Sequence, residues 1–218
     1  MPAQSAPAKP YFITVEGIEG AGKSTAVKFI HQYLLDAQIP HKITREPGGT
    51  EIAEEIRQVL LKHYQEVMAA DTELLLMFAS RAQHLASVIL PALHQGQWVI
   101  CDRFTDASYA YQGGGRGIDS QRIAQIESWV QADLRPDYVF LFDVPAEIGL
   151  RRIKGRNQED RIEQEQVQFF DRVRQIYLSR AQQSPDRYQL IDASQSWEQV
   201  QDQLRALLQV ISLKRRSS

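Results

Sequence analysis

Five short apolar stretches, rich in β-branched and aromatic residues, alternate along the chain with longer stretches of helical period. YFITVE (11–16), HKITRE (41–46), WVICDRF (98–104), YVFLFDV (138–144) and YQLIDA (188–193) read as strands. Amphipathic patterns near 23–37, 50–63, 71–95, 119–132, 146–156, 163–183 and 196–212 read as helices. Strands separated by helices in this order predict an α/β fold, a five-stranded parallel sheet flanked by helices on both faces. No repeat of 20–50 residues interrupts it, so one domain is expected over 11–213, after a disordered leader (1–10) and before a frayed tail (214–218). Two stretches break the pattern. YQGGGRG (111–117) reads as a loop needing unusual backbone angles or close approach. GRNQED (155–160) parts two helical patterns, within a small mobile lid at about 151–163. Both are expected at the carboxyl ends of the strands, where α/β folds bind ligands.

Composition narrows the function more than the fold. With 43% hydrophobic residues among 218 the chain can bury a core. Its formal net charge of −2 argues against coating nucleic acid or an acidic membrane, so any cationic chemistry is local. Cys101 is the single cysteine, which excludes an internal disulfide and reads as a small buried hydrophobe. The first ten residues lack the apolar core of a secretory signal, and no apolar run approaches the ~18 residues of a membrane span. A cytoplasmic protein is the expectation.

Residues 17–24, GIEGAGKS, match G-x-x-x-x-G-K-[ST] between a strand and a helix, the context a phosphate loop requires. Gly17, Gly20 and Gly22 let backbone N–H groups turn inward, Lys23 reaches the β- and γ-phosphates, and Ser24 offers a hydroxyl to Mg²⁺. The ATP-binding segment is Gly17, Ile18, Glu19, Gly20, Ala21, Gly22, Lys23, Ser24 and Thr25, and the fold is of the P-loop NTPase type. Glu16 is expected to face the helix or solvent. Glu19 is expected to point away from the phosphates, toward a sugar hydroxyl or a metal-bound water, against a plain solvated acid. VICDRF ends a strand in Asp102, where the second acid on the Mg²⁺ side belongs, and Arg103 beside it suits a phosphate, with Asp102 helping to hold it. Phe78 and Arg81 share a helix face, where a ring can stack a base and a guanidinium can bond its carbonyl edge; core packing is the ordinary reading for Phe78 alone. Arg151, Arg152, Lys154, Arg156 and Arg161 form the largest cationic cluster, expected as a flap over the triphosphate.

Taken in order, EGIEGAGKST, TREPGGT, LLLMFASRAQ, CDRF, AYQGGGRGID, RPDYVFLFDV and DRIEQE resemble thymidylate kinases of the bacterial type, from about Tyr11 to about Leu208. The resemblance implies transfer of the γ-phosphate of ATP to dTMP with Mg²⁺, in a homodimer. It implies Lys23 and Ser24 on ATP and magnesium, Arg103 on the dTMP phosphate, Phe78 stacked on thymine and Arg81 on its carbonyl edge. It puts Ser108 and Gln112 beside base and sugar, Glu19 near the 3′-hydroxyl, and Arg152, Arg156 and Arg161 in the lid, and leaves open which of the three touches phosphate. Glu46 and Pro47 would shape the acceptor pocket, a cis peptide being one way. Some members carry an arginine in the phosphate loop and a lid without catalytic arginines; Gly20 and the basic lid set this chain with the others. Many relatives have serine where Ala107 stands, so no role is carried there.

A nucleoside monophosphate loses its second proton near pH ~6, so its attacking oxygen needs no general base and Asp102 is expected to organise rather than accept a proton. A deoxynucleoside kinase acting on thymidine is the nearest rival, with Glu46 as its base. A P-loop ATPase that drives a partner protein is the more distant one, and it gives Phe78, Arg81 and Arg103 no purpose.

Overall fold

The most continuously apolar of the predicted strands take the centre of the sheet. The computed structural model describes residues 9–154 and 160–216. In it β1 (Phe12–Glu16), β3 (Trp98–Asp102) and β4 (Tyr138–Asp143) are nearly wholly buried, while β2 (His41–Arg45) and β5 (Tyr188–Asp192) are only partly so. The order is β2-β3-β1-β4-β5, every pair parallel, so the two less apolar strands are the edges. Every predicted strand is present, each ending within two residues of its expected limit.

Helices α1 (Lys23–Asp36), α2 (Glu51–Leu61), α3 (Ala70–His84), α4 (Leu90–His94), α5 (Thr105–Ser108), α6 (Ser120–Gln131), α7 (Ala146–Ile153), α8 (Val167–Gln183) and α9 (Trp197–Arg216) cover the sheet. Thr50 and Asp119 cap α2 and α6, their side chains accepting from Ala53 N and Gln121 N. The main core joins the sheet to α1, α8 and α9.

Four expectations need correction. YQGGGRG is not a loop: α5 continues into a π-helical stretch, Tyr109–Gly115, and only Gly117 among its glycines has a positive φ. The glycines serve close approach instead, because a Cβ on Gly114 would lie 2.5 Å from Ile176 and one on Gly115 would collide with the Phe169 ring, both on α8. Helix α9 runs to Arg216, past the expected domain limit of 213, although its buried stripe of Leu204, Leu208 and Ile211 ends before that limit. Lys9 in the expected leader is tied to Asp137 at 2.9 Å. Finally, α3, a π-helical turn (Leu85–Ile89) and α4 form one helix from Ala70 to His94 that is long and apolar enough to cross a membrane by length and composition. It packs in the fold instead, with Glu73, Arg81 and His84 buried along it.

Candidate active site

The phosphate loop leaves the carboxyl end of β1 and opens α1 on Gly22, whose left-handed backbone offers no side chain to cap the helix. The first N–H groups of α1 therefore remain for an anion, at the positive end of the helix dipole. Gly20 lies against Gly149 of α7: a Cβ on Gly149 would come within 2.5 Å of the Glu19 carbonyl, and one on Gly20 would strike the Gly149 backbone. Lys23 folds back on the loop, its Nζ donating to the carbonyls of Gly17 (3.0 Å) and Ile18 (2.7 Å). Burial, then the neighbouring Arg103, pushes its ammonium down to about 8.

Across from the loop, β3 ends in Asp102 and the chain turns sharply at Arg103, whose φ of 70° is left-handed. Such a backbone in a non-glycine residue is costly and must be held by its surroundings. Glu16 holds it. Its Oε1 accepts from Phe104 N at 2.7 Å and its Oε2 from the Tyr177 hydroxyl at 2.8 Å, while Arg103 N donates to the Val15 carbonyl at 3.0 Å. Glu16 thus does not face solvent: it is buried in a hydrogen-bond set that includes Tyr177 of α8. The turn aims Arg103 back at the loop, where Nη1 donates to Gly17 O (2.9 Å) and Nη2 to Glu19 Oε1 (2.7 Å), with Tyr111 stacked beneath and its hydroxyl on the other Glu19 oxygen. Glu19, not the expected Asp102, is the carboxylate that holds Arg103.

Burial, then the nearby Asp106 carboxylate, pushes the Glu16 carboxyl from an ordinary 4.5 up to about 8. A raised acid binds its proton in the folded state where the unfolded chain has lost it, so this contribution is full below pH 4.5 and is lost as pH rises toward 8. Glu16→Gln should abolish that slope: the melting temperature of the wild type is expected to fall relative to the variant between pH 5 and 8. A constant difference across thermal melts in that range would contradict a neutral buried Glu16.

Two cavities meet at this point. The larger, about 560 Å³, is lined by the loop from Glu19 to Thr25, by Asp102 and Arg103, and by Arg152. The smaller, about 100 Å³, lies among Pro47, Glu73, Met77, Tyr111, Gln112 and Arg161. Glu19, Glu46, Arg57, Arg103 and Asp160 line both. The wall they share sets two guanidiniums, Arg57 and Arg103, among three carboxylates, between a P-loop on one side and a half-apolar pocket on the other, an arrangement suited to two phosphate-bearing ligands meeting end to end.

A family profile described as Thymidylate kinase matches residues 15–204. A thymidylate kinase of Pseudomonas putida is 58% identical over 197 residues, covering 90% of this chain and 94% of its own. One of Pseudomonas savastanoi pv. phaseolicola is 57% identical over 205 residues, covering 94% and 98%. The crystal structure of thymidylate kinase from Ehrlichia chaffeensis superposes with a TM-score of 0.75 at 31% identity, covering 94% of this chain and all of that one. The chain belongs to the thymidylate kinase family.

In this member of the thymidylate kinase family the expected site residues fall into three groups. Lys23, Ser24, Thr25, Glu19, Gly20, Ala21, Gly22, Asp102, Arg103 and Arg152 line the larger cavity; Glu46, Pro47, Gln112 and Arg161 reach the smaller one. Gly17 and Ile18 line neither, and serve the site through the carbonyls that hold Lys23. Phe78, Arg81 and Ser108 also line neither. Phe78 is 2% exposed in a cluster with Leu74, Tyr109, Ile118 and Ile123, and stacks on the Arg81 guanidinium at 4.5 Å. Arg81 is wholly buried, bonded to Glu46 (2.7 Å), Phe104 O (3.0 Å) and Ser108 Oγ (3.1 Å), with Nη1 left without a partner among the described residues. The aromatic ring predicted against the base is therefore a core residue, and Met77, one position earlier on α3, is the side chain on the pocket wall. Phe78→Ala should cost ~3–5 kcal/mol of stability, which urea unfolding measures; a loss under ~1 kcal/mol would contradict its core position.

The basic flap is split as well. Arg152 donates to the carbonyls of Ala193 (2.8 Å) and Gly20 (3.4 Å) on the loop side. Arg161 instead reaches the smaller cavity, donating to Glu73 Oε2 at 2.6 Å and to Leu60 O at 3.2 Å, because the chain after Asp160 runs back over the end of α2. Arg156 lies outside the described residues. The Glu46–Pro47 bond is cis.

Sequence reasoning missed Arg57. It lines both cavities, donates to Pro47 O at 3.0 Å, and has its pKa lowered by burial and then by Arg45. Two partly buried guanidiniums on one wall, Arg57 and Arg103, form a place for an anion. On an amphipathic helix such as EIRQVLL a single arginine looks like any solvated charge, so spacing carried no signal for it.

Proposed function

We propose that this chain transfers the γ-phosphate of ATP to dTMP, giving dTDP and ADP, with ATP in the larger cavity and dTMP in the smaller. The observation that carries this reading is the shared wall: Arg103 and Arg57 line both cavities, so either guanidinium can reach phosphates that meet there. The larger cavity is within the usual size of a small-ligand site.

Ser24 and Asp102 would hold Mg²⁺. A hydroxyl and a carboxylate on one cavity suit a hard cation that keeps waters and phosphate oxygens as its other ligands. When bound, the ion would offset charge on the donor phosphates. The protein's part is positioning. Lys23 trades the loop carbonyls for phosphate oxygens, the α1 N–H groups bind the same anion, and Arg103 and Arg57 orient the acceptor phosphate in line. No proton need move, because the attacking oxygen is already ionised at neutral pH.

Glu46 does not serve as the base a thymidine-directed rival would need. It is 3% exposed, with one oxygen on Arg81 and the other on His84 Nδ1 at 3.0 Å. ADP formation from ATP measured with dTMP and thymidine side by side tests the reading: strong preference for dTMP is expected, and preference for thymidine, or turnover independent of either, overturns it.

We also infer a homodimer in the cytoplasm, where both nucleotides are found. Besides the family resemblance, α3 and its continuation carry an outward stripe of Leu75, Ala79, Ala82, Ala86 and Leu90, all exposed at helical spacing. A second copy packing on this stripe would bury it. Sedimentation at micromolar concentration checks the inference.

A further inference from the structure

Glu73 of α3 is 1% exposed and has no place in the phosphoryl transfer described above, yet it stands on the wall of the smaller cavity. Three donor groups converge on it: Gln112 Nε2 on Oε1 at 2.8 Å, Arg116 Nε across both oxygens at 3.2–3.3 Å, and Arg161 Nη2 on Oε2 at 2.6 Å. Burial alone would raise its pKa, but the Gln112 amide, Arg116 and Arg161 outweigh burial and hold it below the ordinary value. Glu73 is thus ionised, and an ionised carboxylate only accepts hydrogen bonds.

That chemistry settles which way the Gln112 amide points. Its NH₂ must face Glu73, so Oε1 is turned the other way. Gln112 is 3% exposed, lines the cavity, and has its Oε1 buried with no hydrogen-bond partner among the described residues. A buried acceptor without a donor is costly, and on a residue of the cavity wall the donor of a bound ligand would relieve that cost.

We propose that Glu73 is a positioning residue for base selection: by accepting from Gln112 Nε2 it locks Gln112 Oε1 toward the base, so that the pocket takes pyrimidines with an N3–H donor, thymine or uracil, and rejects cytosine, whose N3 is an acceptor. This rests on the smaller cavity being the dTMP site. A cytosine there leaves two acceptors face to face and both unsatisfied, the situation in which hydrogen-bonding sites discriminate most strongly. Selection between thymine and uracil depends on a methyl group and is independent of this device.

The test compares kcat/KM for dTMP, dUMP and dCMP in the wild type, Glu73→Gln and Gln112→Leu. In Glu73→Gln the neutral amide at position 73 can donate as well as accept, so Gln112 is free to turn over. The dTMP-to-dCMP ratio of Glu73→Gln is expected to fall at least ~10-fold, with the dTMP-to-dUMP ratio unchanged. A merely structural role would lower all three substrates together; that outcome, or an unchanged ratio, overturns the proposal. Gln112→Leu separates the underlying reading from the inference. If it leaves the dTMP-to-dCMP ratio intact, Gln112 does not face the base; if it collapses the ratio and Glu73→Gln does not, only the role of Glu73 fails. Should Glu73→Gln not fold, the wild type with ¹⁵N-glutamine decides. Nuclear Overhauser contacts from the Gln112 amide protons to the Glu73 methylene that persist when dTMP binds support the proposal, and their replacement by contacts to the base refutes it.

Discussion

Lys23→Ala is expected to lower kcat by ~10²-fold or more, about 2.7 kcal/mol of lost transition-state stabilisation, with the KM for dTMP little changed. The lysine sits at the mouth of the α1 dipole with its ammonium on the Gly17 and Ile18 carbonyls, contacts that in the proposed reading give way to phosphate oxygens of the donor alone. Its lowered pKa of about 8 still leaves it charged at pH 7, and an incoming polyphosphate raises it further. Steady-state kinetics with both substrates varied measures the effect, and a melting curve excludes loss of the loop fold. A kcat within ~3-fold of wild type would remove Lys23 from the transition state.

Arg103→Ala carries the second large effect, and it has two parts. The KM for dTMP is expected to rise by ~10²-fold while ATP affinity is spared, because the guanidinium stands on the wall shared by the two cavities and, in the proposed reading, binds the acceptor phosphate. Stability should fall too, on the order of 3 kcal/mol, since Glu19 at 15% side-chain exposure loses its ion partner. The parts separate experimentally. Adding Glu19→Gln should recover stability and leave dTMP binding weak. Arg103→Gly should be more stable than Arg103→Ala, because glycine adopts the φ of 70° without strain. Arg103→Lys should not rescue binding, as an ammonium cannot reproduce the fork that spans Gly17 O, Glu19 and a phosphate. Unchanged dTMP affinity in Arg103→Ala would overturn its assignment.

The strands and helices were legible because their signals are local. Alternation of apolar runs with helical period needs only the chain itself, and the buried β1, β3 and β4 are the runs with least polar interruption. The phosphate loop was legible for a like reason: its motif lies within eight consecutive positions. Partnerships between distant residues were not. Arg103 and Glu19 are 84 positions apart, and Gln112 and Glu73 are 39 apart. Nothing in CDRF says that the arginine pairs with Glu19 rather than with its neighbour Asp102, since that depends on a left-handed backbone secured by Glu16. Phe78 and Met77 differ by one position on α3, a rotation of about 100° that decides which faces the pocket and which the core.

By itself, then, the order of residues determined a parallel α/β sheet with a phosphate loop at the end of its first strand, because period, strand-flanked glycines and a lysine are properties of short contiguous segments. Folding alone decided that Glu19 holds Arg103, that Arg161 serves the smaller cavity, and that Glu73 turns the Gln112 amide. Those outcomes depend on which side chains a packed interior leaves unsatisfied, and that is a property of distances across the fold.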